Sequence, residues 1–318
     1  MFPNSEFKIA YLTFQMEAEG RIELPEFQGA FFRGSFGKIF RKIVCLQRQE
    51  ICDECRLIKN CVYVYLFESR RLANNNLTWN TSHDPHPFVL EPPLSNKLIY
   101  YPGDGFSIGL VLFGEGIAYL PYFILVFEEM GRRGIGKQYG RFKLTEVTAT
   151  DIKGEVQVYN SLDGNLKDNI PVITPEILNL LNLTGSNKVD LNLLTPARIQ
   201  QHGEPVRQLT FPLLVRALMR RYSWLSSLYS GSLPELAYQD ILLQAESEVK
   251  LISSSLKWQK LEHYSYRQNK HYKMGGLTGE LNFIGNLSPF LPLLRLGEYL
   301  HVGKGTAFGL GRYRVIIN

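Results

Sequence analysis

A chain of 318 residues, 45% hydrophobic and 20% charged, is long enough for two domains of ordinary size, and its composition excludes a disordered or fibrous protein. A net charge of +5 and a pI near 8.9 permit a polyanionic partner without requiring one. The first residues lack a basic stretch leading into an apolar core, and the most apolar run, 117–127, contains Pro121 and is about half the length of a membrane span, so a cytoplasmic location is expected.

Residues 7–16 alternate apolar and polar positions and predict an opening strand. Gly20, Pro25 and Gly29 punctuate a loop. Phe32, Phe36, Ile39, Phe40 and Ile43 then recur at helical spacing, with Arg33, Lys38, Arg41 and Lys42 around the remaining surface. Gly34 and Gly37 weaken such a helix, so they are expected to admit a close neighbour, either a second helix or a ligand. Next come all four cysteines, Cys45, Cys52, Cys55 and Cys61, spaced C-x6-C-x2-C-x5-C. In a chain read as intracellular, clustered cysteines favour metal over disulfides. Four thiolates suit a closed, structural tetrahedral zinc; an iron–sulfur cluster and four reduced thiols are the alternatives. Residues 62–68 predict a strand, 70–101 a long loop holding His83 and His86, 105–114 a buried strand, and 119–130 a helix. A glycine-rich loop follows, with Gly131, Gly134, Gly136 and Gly140 around Lys137, and a strand over 142–148 closes this half.

The second half repeats the plan. A turn-rich stretch, 163–186, carries a helical piece near 177–181, and a strand runs over 189–199. A basic amphipathic helix spans 211–224, with Pro212 well placed in its first turn. Residues 246–258 predict a further strand or helix. His263, Tyr264, Tyr266, Arg267, Lys270, Tyr272 and Lys273 interleave aromatic rings with cations, a pairing that suits single-stranded RNA. A strand over 281–284 and a helix over 287–299 lead to the closing loop of Gly303, Lys304, Gly305, Gly309 and Gly311, and then to a strand over 313–317. Successive N–H groups of such a loop form an anion site. No Gly-Lys-Ser/Thr follows a four-residue spacer, so this is not a Walker A loop; a strand follows it, not a helix, so it is not a dinucleotide fingerprint. Strand, helix, strand pair, helix and strand occur twice. That order predicts an α+β chain of tandem ferredoxin-like (RRM-like) domains, 1–160 and 161–318, with the cysteine cluster inserted in the first.

The ending from His301 to Tyr313 closely resembles the C-terminal glycine-rich signature of the CRISPR-associated RAMP superfamily. In particular it is similar to the sixth Cas family, the endoribonucleases that cut precursor CRISPR RNA within its repeats. The likeness extends to Tyr264, Ser265, Tyr266, Arg267 and Gln268, to residues 275–280 and 29–37, to the cysteine cluster, and to Gly134-Ile135-Gly136. It implies metal-independent cleavage in which the ribose 2′-OH attacks the adjacent phosphate, leaving a 2′,3′-cyclic phosphate and a 5′-OH. A catalytically inactive member that only holds the crRNA repeat, and a structural RAMP subunit of an interference complex, are the alternatives. The implied partners are precursor crRNA, effector-complex subunits and a second copy of the chain, with no membrane.

Such chemistry needs a base, an acid and cations around the phosphorane. Family members often place a histidine on or near the first helix; residues 28–44 contain none, and Lys38 stands where a base is expected. The catalytic candidates are therefore His301, Lys38 and Tyr264, with His263 in reserve. Arg33, Lys137, Arg267, Lys273, Gly303, Lys304, Gly305, Gly309 and Gly311 are the RNA-binding candidates.

Overall fold

The computed structural model describes residues 6–47, 52–68, 84–95, 97–180, 187–231, 233–265 and 269–318. Two compact units make up the chain: Ala10–Val172, and Met1–Ile9 together with Ile173–Asn318.

The first unit is built from β1 (Ile9–Ala18), α1 (Gln28–Val44), β2 (Phe88–Glu91), β3 (Gly105–Phe113), α2 (Leu120–Arg133), β4 (Phe142–Asp151) and β5 (Gly154–Asn160). Its sheet order is β2-β3-β1-β4-β5. The alternation read in residues 7–16 is real: Ala10, Leu12, Phe14 and Met16 all point into the core of β1. The helices pack over that face through aromatic rings. Phe14 meets Phe127 of α2 at 4.8 Å between centroids, and Phe36 of α1 meets Phe123 of α2 at 4.8 Å.

The expected strand over 62–68 is a helical turn instead, with Val64–Glu68 wound as a π-helix. The reason lies in side-chain spacing. Tyr63 and Phe67, four residues apart, stack at 5.5 Å, and the Phe67 ring then lies against Gly37 of α1. A Cβ on Gly37 would come within 2.9 Å of the Phe67 ring, so this glycine admits an aromatic ring; nothing approaches Gly34.

The second unit contains α3 (Pro175–Leu180), β6 (Lys188–Ala197), α4 (Phe211–Tyr229), α5 (Tyr238–Glu248), β7 (Val249–Ser254), β8 (Lys257–Gln259), β9 (Glu262–Ser265), β10 (Lys270–Lys273), β11 (Gly276–Gly285), α6 (Leu291–Leu300) and β12 (Tyr313–Ile317). Its sheet runs β7-β11-β6-β12, every neighbouring pair antiparallel, with β8 also paired to β11 and β9–β10 forming a separate hairpin. Leu191, Leu193, Leu281, Phe283 and Val315 bury one face of the sheet. Phe211 of α4 closes on Phe283 at 5.0 Å and on Phe290 at 5.1 Å. Tyr313 drives its ring beneath α6 and donates to the Leu294 carbonyl at 2.7 Å, which satisfies a buried hydroxyl.

In the first sheet β1 sits between β3 and β4, and in the second β6 sits between β11 and β12, so in each the opening strand lies between the strands that flank the last helix. Among the described residues no helix is long and apolar enough to cross a membrane.

Candidate nucleic-acid interface

The closing loop starts where α6 stops. His301 caps the helix with φ at +60°, and its N–H donates to the Gly297 carbonyl at 2.9 Å. Arg221 of α4 donates Nε to the Leu300 carbonyl at 2.6 Å, placing a cation at the negative end of α6. Burial pushes the Arg221 pKa down to about 10, which still leaves it charged at neutral pH. The loop then folds back on β6. Val302 N–H donates to Gly311 O at 2.9 Å, Gly311 N–H to Pro196 O at 3.0 Å, and Lys304 N–H to Arg198 O at 3.0 Å. Thr195 Oγ1 donates to Gly309 O at 2.8 Å and accepts from Arg312 N–H at 2.9 Å.

Gly303, Gly305, Gly309 and Gly311 take φ values of +90°, +76°, +78° and +71°, which L-side chains rarely adopt. A Cβ on Gly303 would stand 2.6 Å from the Arg198 carbonyl, and one on Gly311 would collide with the Val302 carbonyl. At Gly303 and Gly311 the close approach is thus made by the chain's own backbone.

The His301 ring is 0% exposed, with Nδ1 3.0 Å from the Leu310 carbonyl. Far from standing at the mouth of the loop, it locks the loop from inside. Lys304 projects outward, exposed and without an ion-pair partner among the described residues. The half-buried His263 lies 6.1 Å from Phe308 of the loop, and Lys273 is exposed on β10. Tyr264 packs on His271 at 4.8 Å and bonds its hydroxyl to the Asn269 side chain. Arg267 lies outside the described residues.

The other candidates belong to the first unit. Lys38 is exposed on α1. Arg33, expected to clamp a phosphate, brings Nη2 to 2.7 Å from His86 Nε2 and lies over the Phe67 ring at 5.3 Å. The second His86 nitrogen, Nδ1, is 3.0 Å from the Leu66 carbonyl. A carbonyl only accepts and a guanidinium only donates, so the imidazole is neutral, protonated at Nδ1. A histidine does stand at the first helix, although no helical position carries one; it arrives from a distant loop, and nothing in local sequence announces it. Lys137 is held 2.6 Å from Glu23 Oε1, and that bond keeps the Glu23 carboxyl below its usual range. Its loop is also closed on itself: Cβ atoms at Gly134, Gly136 and Gly140 would strike the carbonyls of Tyr139, Glu23 and Arg21.

The cysteines occupy a segment of short turns, Cys52–Glu54 and Ile58–Asn60, as four half-buried thiols, with Cys55 Sγ facing Gln47 Oε1 at 3.5 Å. Among the described residues no three His, Cys, Asp or Glu side chains are gathered around one point as a metal site.

Residues 7–170 match the family model described as the AF_1859_N N-terminal domain, and residues 191–313 match that of the CRISPR-associated endoribonuclease Cas6. An uncharacterized protein of Archaeoglobus fulgidus is 25% identical over 295 residues, 92% of each chain. The fold is similar to that of Thermus thermophilus Cas6, with a TM-score of 0.56 at 13% identity over 98% of this chain and 100% of that one. A Cas6 product complex gives 0.55 at 14% identity, over 97% of this chain and 100% of that one. A chain of a partial Cas6-RT-Cas1–Cas2 complex gives 0.60 at 12% identity; all of this chain is covered, and it spans 47% of that longer one. Antiparallel sheets in two units, the second closed by a glycine-rich loop, form a fold similar to that of these Cas6 structures. The chain belongs to the family whose AF_1859_N N-terminal domain model matches just over half of it, and its C-terminal residues 191–313 match Cas6.

Proposed function

We propose that this chain is an endoribonuclease that cuts CRISPR repeat RNA without a catalytic metal and releases mature crRNA. One observation carries the reading: Lys304, exposed and without an ion-pair partner among the described residues, stands on a glycine-rich loop whose Phe308 lies 6.1 Å from the His263 ring. In the reaction a base takes the proton of the ribose 2′-OH, O2′ bonds to phosphorus, the P–O5′ bond breaks, and an acid protonates O5′. We assign proton transfer to His263, stabilisation of the phosphorane charge to Lys304, and backbone clamping to Lys273. Tyr264 orients the nucleotide, and Lys38 supplies a further exposed cation. His301, enclosed in the loop, becomes a positioning residue.

The repeated strand order supports reading the two units as a tandem of ferredoxin-like domains. The chain resembling this one in the Cas6-RT-Cas1–Cas2 complex makes association with other CRISPR proteins part of the same reading. The four cysteines suit a structural zinc by donor chemistry, although they are not gathered around a centre, and no reaction step is routed through such an ion. Metal analysis of the purified protein, with Cys52→Ser alongside, tests that part: one zinc per chain, lost in the variant, is expected.

A second reading, a module that holds the repeat without cutting it, is favoured by the burial of His301. Incubation with labelled repeat RNA in excess EDTA separates the two. Discrete cleavage leaving a cyclic phosphate, lost in His263→Ala, is expected. Tight binding with no cleavage selects the holding module, and absence of binding removes both readings.

A further inference from the structure

Trp258 on β8 is half-buried, and the exposed Arg207 lays its guanidinium 3.7 Å from the centre of the indole ring. Arg207 has no ion-pair partner among the described residues. Beside the same ring, at 5.8 Å, lies the guanidinium of Arg198, which is anchored by Nη1 to the Gly275 carbonyl at 3.1 Å. The Arg198 carbonyl accepts the Lys304 N–H at 3.0 Å, so the indole shares an anchor residue with the glycine-rich loop. Val206 N–H donates to Ile199 O at 3.0 Å, closing the short hairpin that returns the chain from Arg198 to Arg207.

An exposed arginine samples many rotamers and loses that freedom when it binds. Stacked on an indole, the guanidinium is already fixed in one plane, so little remains to be lost. Guanidinium planes stack unpaired bases, and an arginine without a carboxylate keeps its charge for phosphate. We infer that Arg207, held flat by Trp258, is a stacking platform for one unpaired base of the bound RNA, next to the phosphate that Lys304 contacts. Arg207 touches the base; Trp258 is a positioning residue. The inference rests on the RNA-binding reading above and adds a base contact to it.

The test is equilibrium binding of the full chain to 2′-O-methyl repeat RNA, which lacks the attacking hydroxyl, and to a set of the same RNA each carrying one abasic nucleotide. Arg207→Lys keeps the charge and removes the plane. It is expected to weaken binding to intact RNA about 5- to 150-fold, the range one stacked base commands, with the salt dependence unchanged. Against the RNA that is abasic at one particular position the variant is expected to match wild type. Trp258→Ala is expected to behave the same way, with the thermal melt of each variant recorded to exclude unfolding. Wild-type affinity in Arg207→Lys, or an equal loss on every abasic RNA, overturns the platform while leaving the RNA-binding reading intact. Failure of the wild type to bind any repeat RNA overturns both.

Discussion

The two glycine-rich loops carry the same pattern, glycines spaced around a single lysine before a strand, yet the structure uses them differently. In both, glycines take left-handed φ and a Cβ would strike backbone carbonyls, Glu23 beneath Gly136 and Arg198 beneath Gly303. The pattern of glycines therefore encodes backbone closure in each unit. The lysines diverge. Lys137 is paired with Glu23 at 2.6 Å, whereas Lys304 meets no carboxylate among the described residues. Shape is common to both loops; available positive charge belongs to one.

The largest effect is expected from filling the closure itself. Gly311→Ala should cost at least about 3 kcal/mol, because it adds a carbonyl collision to a left-handed backbone, and Gly136→Ala should do the same in the first unit. Urea unfolding measures both; a loss confined to Gly311 would end the parallel between the loops. Next comes charge. Lys304→Ala should weaken repeat-RNA binding about tenfold at low salt and lower the log–log salt slope by about one, while Lys137→Ala changes neither. Equal effects from the two lysines would show that the Glu23 pair does not decide the matter.

A smaller change is expected at Arg221, whose replacement by Met should remove the α6 cap at a cost of about 1 kcal/mol. RNA affinity should fall with it if the cap positions the loop, and Arg221→Lys should recover part of both.

The smallest effects concern pH, where the units should part at opposite extremes. Burial and the bond to Glu128 push the Tyr159 pKa up to about 12, so its contribution to the first unit holds below the ordinary tyrosine range and is lost as pH rises toward 12. Asn282, at 2.5 Å, and Asn318 donate to Asp190 and hold its carboxyl below its usual range. That contribution to the second unit is present above the ordinary carboxylate range and lost as pH falls through the lowered value. Tyr159→Phe should flatten the alkaline limb of stability, and Asp190→Asn the acid limb.

What the sequence reveals depends on how far each contact reaches along the chain. The Phe32, Phe36 and Phe40 stripe is local, and periodicity finds it. Val-Tyr-Val-Tyr over 62–65 reads as a strand by residue type, yet the ring stack of Tyr63 and Phe67 and the bare flank of Gly37 settle it as a helical turn. His86 at Arg33, 53 residues away, has no local sign, and neither does Arg207 over Trp258, 51 residues away. At His301 a histidine in a motif suggests chemistry, while its complete burial and the Leu310 carbonyl 3.0 Å from Nδ1 depend on a loop closure that no local pattern announces.

The interlocked loop around His301 also bears on kinetics. Because its backbone groups are already bonded to one another, to Pro196 of β6 and to Arg198, no segment of the loop has to order before a ligand arrives. Encounter should therefore proceed in a single exponential phase with a rate constant set by electrostatic steering and linear in RNA concentration, without the plateau that a preceding conformational step imposes.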